Sequence, residues 1–196
     1  PRTQGSQPNP NAERLPRHSR AVFGADLLNE PHGARWDEWA AAAAELGDFV
    51  LSKCARWVVF VEGVAHKGMK NQREFFWGEN LQDAASRPVR LRLGNKLVYS
   101  PHVYGPGDAD EDHHMPYFDD KRFPANMEAF WERHFWYLSA RGLTVVVGVW
   151  GSVAGRVGVL WARARAVRRR WVASSPGTRA NVALSFASAS AAPAAA

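Results

Sequence analysis

The chain has 196 residues and a single cysteine, Cys54, so it can hold neither an intrachain disulfide nor a cysteine-based zinc site. No apolar run approaches the roughly 20 residues that a bilayer-spanning helix needs, and no membrane span is expected. Acidic residues are missing from one long segment. Residues 151–196 contain seven Arg and no Lys, Asp or Glu, whereas residues 1–150 hold 18 basic and 19 acidic side chains. The net charge of +6 therefore belongs to the last segment, and the remainder is nearly neutral. Large aliphatic residues are scarce at the start: Leu15 is the only one in residues 1–20, which cannot bury a face and are expected to be disordered. The first residue is Pro1, with no initiator Met and no signal-peptide pattern, as expected of a fragment.

Apolar material is plentiful elsewhere. Hydrophobic residues make up 46%, with nine Trp and ten Phe, enough for one sizeable core. "AVFGADLLNE" reads as a buried strand ending in polar residues. In "RWDEWAAAAAELGDFVLSKCA", Trp36, Trp39, Ala43, Leu46, Val50 and Cys54 recur at spacings of three and four, the mark of an amphipathic helix. "WVVFVEG" is a second buried strand with Glu62 at its carboxyl end. "KLVYSPHVY" makes a third, and the short piece "VRLRL" alternates. "NMEAFWERHFWYLSARG" reads as a helix closed by Gly142, and "LTVVVGVWG" as a fourth strand. Apolar strands alternating with helices predict parallel βα units, which carry their functional groups at the strands' carboxyl ends.

Those ends hold "NEP" (29–31), "VEG" (61–63), "HVY" (102–104) and "GVWG" (148–151). Singly each is weak; a lone Glu at a strand end is as often structural as catalytic. In this order, and with "DLLNEPHGARW", "FWGENL", "NKLVYSPHVYGPG" and "FPANMEAFWERHF" around them, residues 23–150 resemble glycoside hydrolase family 5, the cellulase family, and its endo-β-1,4-glucanases in particular. The resemblance implies an α/β fold, part of a TIM (β/α)8 barrel covering approximately strands four to seven with their helices. It also implies retaining hydrolysis of β-1,4-linked glucan, an extracellular location and no metal or organic cofactor. Under it Glu30 corresponds to the acid/base, and Asn29 to the residue that holds the sugar's 2-hydroxyl. His102 and Tyr104 correspond to cleft residues that orient the nucleophile.

The family's nucleophile is a Glu in a "GE(F/W)G" context, which here reads "GVWG" with Val149 in the Glu position. A retaining glycosidase needs two carboxyl groups about 5–5.5 Å apart, and valine can neither attack nor stabilise positive charge. Glu62 lies on a different strand and is expected to be structural or supporting. The chain as written is therefore expected to be inactive.

The expected organisation is a disordered segment at 1–20, a partial catalytic barrel at 21–151 and an Arg/Ala-rich, low-complexity tail at 152–196. Because the family pattern stops near Gly151, the tail reads as out-of-frame or intronic translation. Trp77 and Trp150 are candidate sugar-stacking residues from their motif context, since a flat aromatic face suits a sugar's C–H surface; Trp36 and Trp39 read as packing. "DADEDHH" (108–114) has ligand-type residues without metal-site spacing and reads as a solvated loop. The partner implied is a β-glucan polysaccharide or oligosaccharide. Two alternatives stand beside the enzyme: a non-catalytic glucan-binding pseudoenzyme, and nucleic-acid binding by "RARAVRRRW", although a specific nucleic-acid partner is not expected. The sequence fixes no oligomeric state.

Overall fold

The structure, a computed structural model, describes residues 22–65, 75–106, 115–151 and 182–184. The expected disordered start, the "DADEDHH" loop and most of the Arg/Ala-rich segment lie outside them. Five short strands form one parallel sheet in the order β1 (Gly24–Asp26), β2 (Val58–Val61), β3 (Leu97–Tyr99), β5 (Val145–Val147) and β7 (Val182–Leu184). A second parallel pair joins β4 (His102–Tyr104) to β6 (Val149–Gly151). This is the parallel α/β arrangement expected from the alternation of strands and helices. The edge strand β7 comes from the Arg/Ala-rich segment, where "VAL" (182–184) pairs with β5.

Two expected strands are each broken in two. "KLVYSPHVY" divides at Ser100 and Pro101, because proline has no N–H to give to a ladder. "LTVVVGVWG" divides at Gly148. Across this break the register advances by one residue: Tyr99 pairs with Val145, but His102 pairs with Val149. The extra residue acts as a bulge and re-aims the side chains beyond it. "VRLRL" forms no strand; Val89 is buried, and its N–H donates to the Tyr99 hydroxyl at 3.3 Å.

Helix α1 (Trp36–Lys53) packs on the sheet through Trp36, Trp39, Ala40, Ala43, Gly47 and Leu51. Its buried face is rotated from the expected one. Leu46 is exposed, Val50 is half-buried and Cys54 follows the helix as its cap. Gly47 explains the rotation: a Cβ there would lie 2.7 Å from Leu91 Cδ2 and 3.3 Å from Val59 Cγ1, so the bare glycine lets the helix approach closely. At the N-terminus the Arg35 N–H donates to Glu38 Oε2 at 2.9 Å, satisfying one of the donors a helix start leaves unpaired.

The expected helix after residue 126 is three pieces: α2 (Met127–Trp131), a π turn (Glu132–Trp136) and α3 (Tyr137–Ala140). The π turn carries the buried His134, Phe135 and Trp136. His134 Nδ1 lies 2.9 Å from Glu79 Oε1, both side chains being at most 1% exposed. The second Glu79 oxygen accepts from the Phe76 N–H at 2.9 Å, pinning the segment at residues 75–81. Gly142 closes the helix as expected, at φ 76°, with the Leu143 N–H donating back to the Leu138 carbonyl at 3.1 Å.

Candidate active site

The strands' carboxyl ends converge on a small carboxyl-rich cluster. Strand β1 stops at Asp26, so Glu30 stands not at the strand's end but in the bend beyond it. Its backbone is left-handed, φ 48°, which costs a non-glycine residue about 1–2 kcal/mol and is typical of functional positions. That turn directs the Glu30 N–H to Glu62 Oε2 at 2.8 Å, while the Glu30 carbonyl accepts from His32 Nδ1 at 2.9 Å. The Glu30 side chain is 18% exposed. Its Oε1 receives the Tyr104 hydroxyl at 2.7 Å and lies 3.0 Å from His102 Nδ1.

His102 is wedged between two carboxyl groups. Its other nitrogen, Nε2, lies 3.1 Å from Oε1 of Glu62, a side chain only 1% exposed. Desolvation pulls the ring's pKa down, but the hydrogen bonds to Glu62 and Glu30 outweigh it and hold His102 above the ordinary histidine value. The Asp26 carboxyl hydrogen-bonds Glu62, and burial together with the Glu62 charge pushes it up to about 7.

Among the described residues, Asp26, Glu62 and His102 are the group whose ligand-type atoms converge, within 4.8 Å of one another. The contact between His102 Nε2 and Glu62 Oε1, at 3.1 Å, is an ion pair within this group.

The loop at residues 75–81 closes one side. The Gly78 carbonyl accepts from the Gly63 N–H at 2.8 Å and the His102 N–H at 3.2 Å. A Cβ on Gly78 would stand 2.7 Å from Glu62 Oε2. Next to it Trp77 is 48% exposed and stacks on His32, ring centroids 5.1 Å apart and planes 23° apart, so an indole face stands beside the Glu30 bend. Asn29 is exposed next to Glu30.

Val149 is in register with His102, and residues in register on neighbouring strands project from the same face. Position 149 therefore faces the cluster. Gly148 approaches His102 so closely that a Cβ there would lie 3.3 Å from the ring and collide with Ser100 Oγ. Trp150 is the middle residue of β6, paired with Val103.

Glu30, His102 and Tyr104 are thus brought together, with Asn29, Trp77 and Val149 around them. The His102 ring meets Glu30 and Glu62, and the Tyr104 hydroxyl donates to Glu30; the Val149 side chain offers neither of them an acceptor. The sequence reading did not single out Asp26, and it gave Glu62 only a supporting place. Trp36 and Trp39 are core, their indole N–H groups donating to the Arg87 and Glu62 carbonyls at 2.8 and 2.9 Å.

The pattern of the cellulases of glycosyl hydrolase family 5 matches residues 11–187. The chain belongs to that family. An endoglucanase of Paenibacillus polymyxa is 40% identical over 144 residues, covering 69% of this chain and 35% of the relative. Among solved structures, the catalytic domain of the major endoglucanase from Xanthomonas campestris pv. campestris is 32% identical with a TM-score of 0.66, covering 82% of this chain and 48% of the other. The hyperthermophilic endocellulase of Pyrococcus horikoshii is 34% identical with a TM-score of 0.63, at 78% and 47% coverage, and a variant of it has been solved with cellotetraose. The family 5 chain described here thus spans about a third of the Paenibacillus relative and about half of each solved structure.

Proposed function

We propose that this family 5 chain is part of a retaining hydrolase of β-1,4-linked glucan, corresponding approximately to barrel strands four to seven, and that as written it does not turn over. In such an enzyme Glu30 gives its proton to the leaving glycosidic oxygen and later takes one from the attacking water. Asn29 holds the sugar's 2-hydroxyl, and Trp77, with Trp150, offers an aromatic face to the glucose rings. Position 149 belongs to the nucleophile. The observation that carries this assignment is the His102–Val149 register, because it sets position 149 on the face where Glu30 meets His102 and Tyr104. Valine there leaves the acid/base with no partner to form the glycosyl-enzyme intermediate, and losing one member of a catalytic unit can cost about 10⁶ in rate.

The β-glucan substrate is supported by the cellotetraose bound to the Pyrococcus relative. An extracellular location is supported by the Xanthomonas relative, described as a major extracellular endoglucanase. No described helix is long and apolar enough to cross a membrane. Two carboxyl groups suffice for the reaction, so no cofactor is invoked.

The test restores the missing group. Val149→Glu in this chain alone is expected to stay inactive, since placement errors near 1 Å cost about 10²-fold. The same substitution in a chain extended with the remaining barrel strands is expected to hydrolyse soluble cellulose, and Glu30→Gln to abolish it. Activity of the extended chain that survives Glu30→Gln would sink the assignment. The exposed Trp77 on His32 favours one second reading, a glucan binder without turnover; saturable cellotetraose binding with no product from the extended Val149 chain would support it.

A further inference from the structure

The side chain that ties this site together is Glu62. It is 1% exposed and meets three demands at once: the Glu30 N–H at Oε2, the His102 ring at Oε1, and the Asp26 carboxyl. Oxygens of the Asp26 and Glu62 carboxyl groups lie within 4.8 Å of one another, an approach that favours a proton between them, since an ionised carboxylate is purely an acceptor and two like charges repel. His102 poses a similar constraint. Carboxyl oxygens lie 3.0 Å from Nδ1 and 3.1 Å from Nε2, and a neutral imidazole can donate to only one of them.

The groups that face the ring from each packed element are few. Asp26 comes from the end of β1, Glu30 from the bend after it and Glu62 from the end of β2, while Tyr104 of β4 itself reaches the same Glu30 oxygen. The loop at residues 75–81 contributes the Gly78 backbone, and β6 contributes the uncharged Val149. Among the described residues no basic side chain joins them, and the two carboxyl oxygens at 3.0 and 3.1 Å from the ring's two nitrogens place the balancing positive charge on His102.

We infer that Asp26 and Glu62 share one proton, and that through Glu62 this pair holds His102 as an imidazolium that fixes the Glu30 side chain and backbone. Glu62 is then a positioning residue for the acid/base and not a replacement nucleophile. This rests on the assignment of Glu30 as the acid/base. The protonation pattern itself is independent of any turnover. Glu62 sets Glu30 by two routes, one through the backbone N–H and one through the imidazolium, so its loss would release both ends of the residue together.

The experiment is ¹⁵N NMR of the histidine ring nitrogens in the full 196-residue chain across neutral pH, with the His102 signals identified by their loss in His102→Gln. Both His102 nitrogens are expected to carry protons at pH 7, with a midpoint above that of free histidine. Glu62→Gln removes the charge partner and is expected to lower the midpoint by about one pH unit, a tenfold loss of proton affinity. Asp26→Asn, whose amide still donates to Glu62, is expected to leave the ring protonated. A neutral, single-tautomer His102 at pH 7 in the unmodified chain would overturn the inference, as would a midpoint unmoved by Glu62→Gln. Because the first of these is read in the unmodified chain, with His102→Gln serving only to identify the signals, it decides even if Glu62→Gln unfolds the chain. Failure of the glucanase assignment would show only in the cellulose assay.

Discussion

Gly78→Ala would strike the site without touching a chemical group. Two costs add. Gly78 has φ 78°, and an alanine in that left-handed conformation loses roughly 1–2 kcal/mol. The new methyl would also stand 2.7 Å from Glu62 Oε2 and 3.1 Å from His102 Cγ, well inside contact distance. The Glu62 carboxyl, being nearly fully buried, has no solvent to retreat into. Moving it breaks its charged hydrogen bond to the Glu30 N–H, worth about 1.5–3 kcal/mol. The sum is a loss of about 2.5–5 kcal/mol. Gly142→Ala is the internal control: φ is 76°, but nothing lies within 4 Å of the added methyl, so only the same backbone cost of roughly 1–2 kcal/mol applies. Urea unfolding of the chain and both variants measures the difference, expected near 2 kcal/mol. Equal destabilisation by the two, within about 0.5 kcal/mol, would refute the idea that the Glu62 carboxyl is locked under Gly78.

Stability should fall as pH rises toward neutrality. The folded Asp26 carboxyl is raised from 3.8 to about 7, so its contribution is complete below the unfolded value and is lost as pH climbs through the folded one; His102, also raised, acts in the same direction above its unfolded value. Melting temperatures at acid and neutral pH should therefore differ in the unmodified chain, and the difference should shrink in Asp26→Asn to the share that His102 contributes. Glu79→Ala leaves His134 buried without its partner and frees the Phe76 N–H, with an expected loss of about 3–5 kcal/mol by chemical denaturation. Trp77→Ala removes an exposed ring, so stability should change by at most about 0.5 kcal/mol. Its affinity for cellotetraose by titration calorimetry should drop by about tenfold.

What could be read from the sequence was whatever is local. The four strand-end motifs gave the parallel α/β class, and the family resemblance carried by them located Glu30, His102 and Tyr104, which do meet. The valine in "GVWG" was legible against that same resemblance. What escaped depends on contacts between distant segments. Asp26 looks like an ordinary polar strand end until β1 lies beside β2 and brings it to Glu62. Glu62 follows an apolar strand, and nothing in "VEG" tells that its two oxygens are claimed by residues 30 and 102. Helical spacing alone picked Leu46 and Val50, but the bare Gly47 turns the helix so that Leu51 goes in. The one-residue slip that aims position 149 arises from two strands breaking at different points, at Pro101 and Gly148, which neither strand reveals by itself. Strand β7 is a short run in an Ala/Ser-rich stretch, and only its pairing with β5 distinguishes it.

The decisive measurement is hydrolysis of an aryl-cellobioside by the unmodified 196-residue chain, with Glu30→Gln alongside. Glu30 can donate a proton, but Val149 cannot attack the anomeric carbon, so release of the aryl group is expected to equal the blank for both proteins. Turnover by the unmodified chain that disappears in Glu30→Gln would contradict this. It would mean that another carboxyl group stands opposite Glu30 and that valine at position 149 does not silence the site.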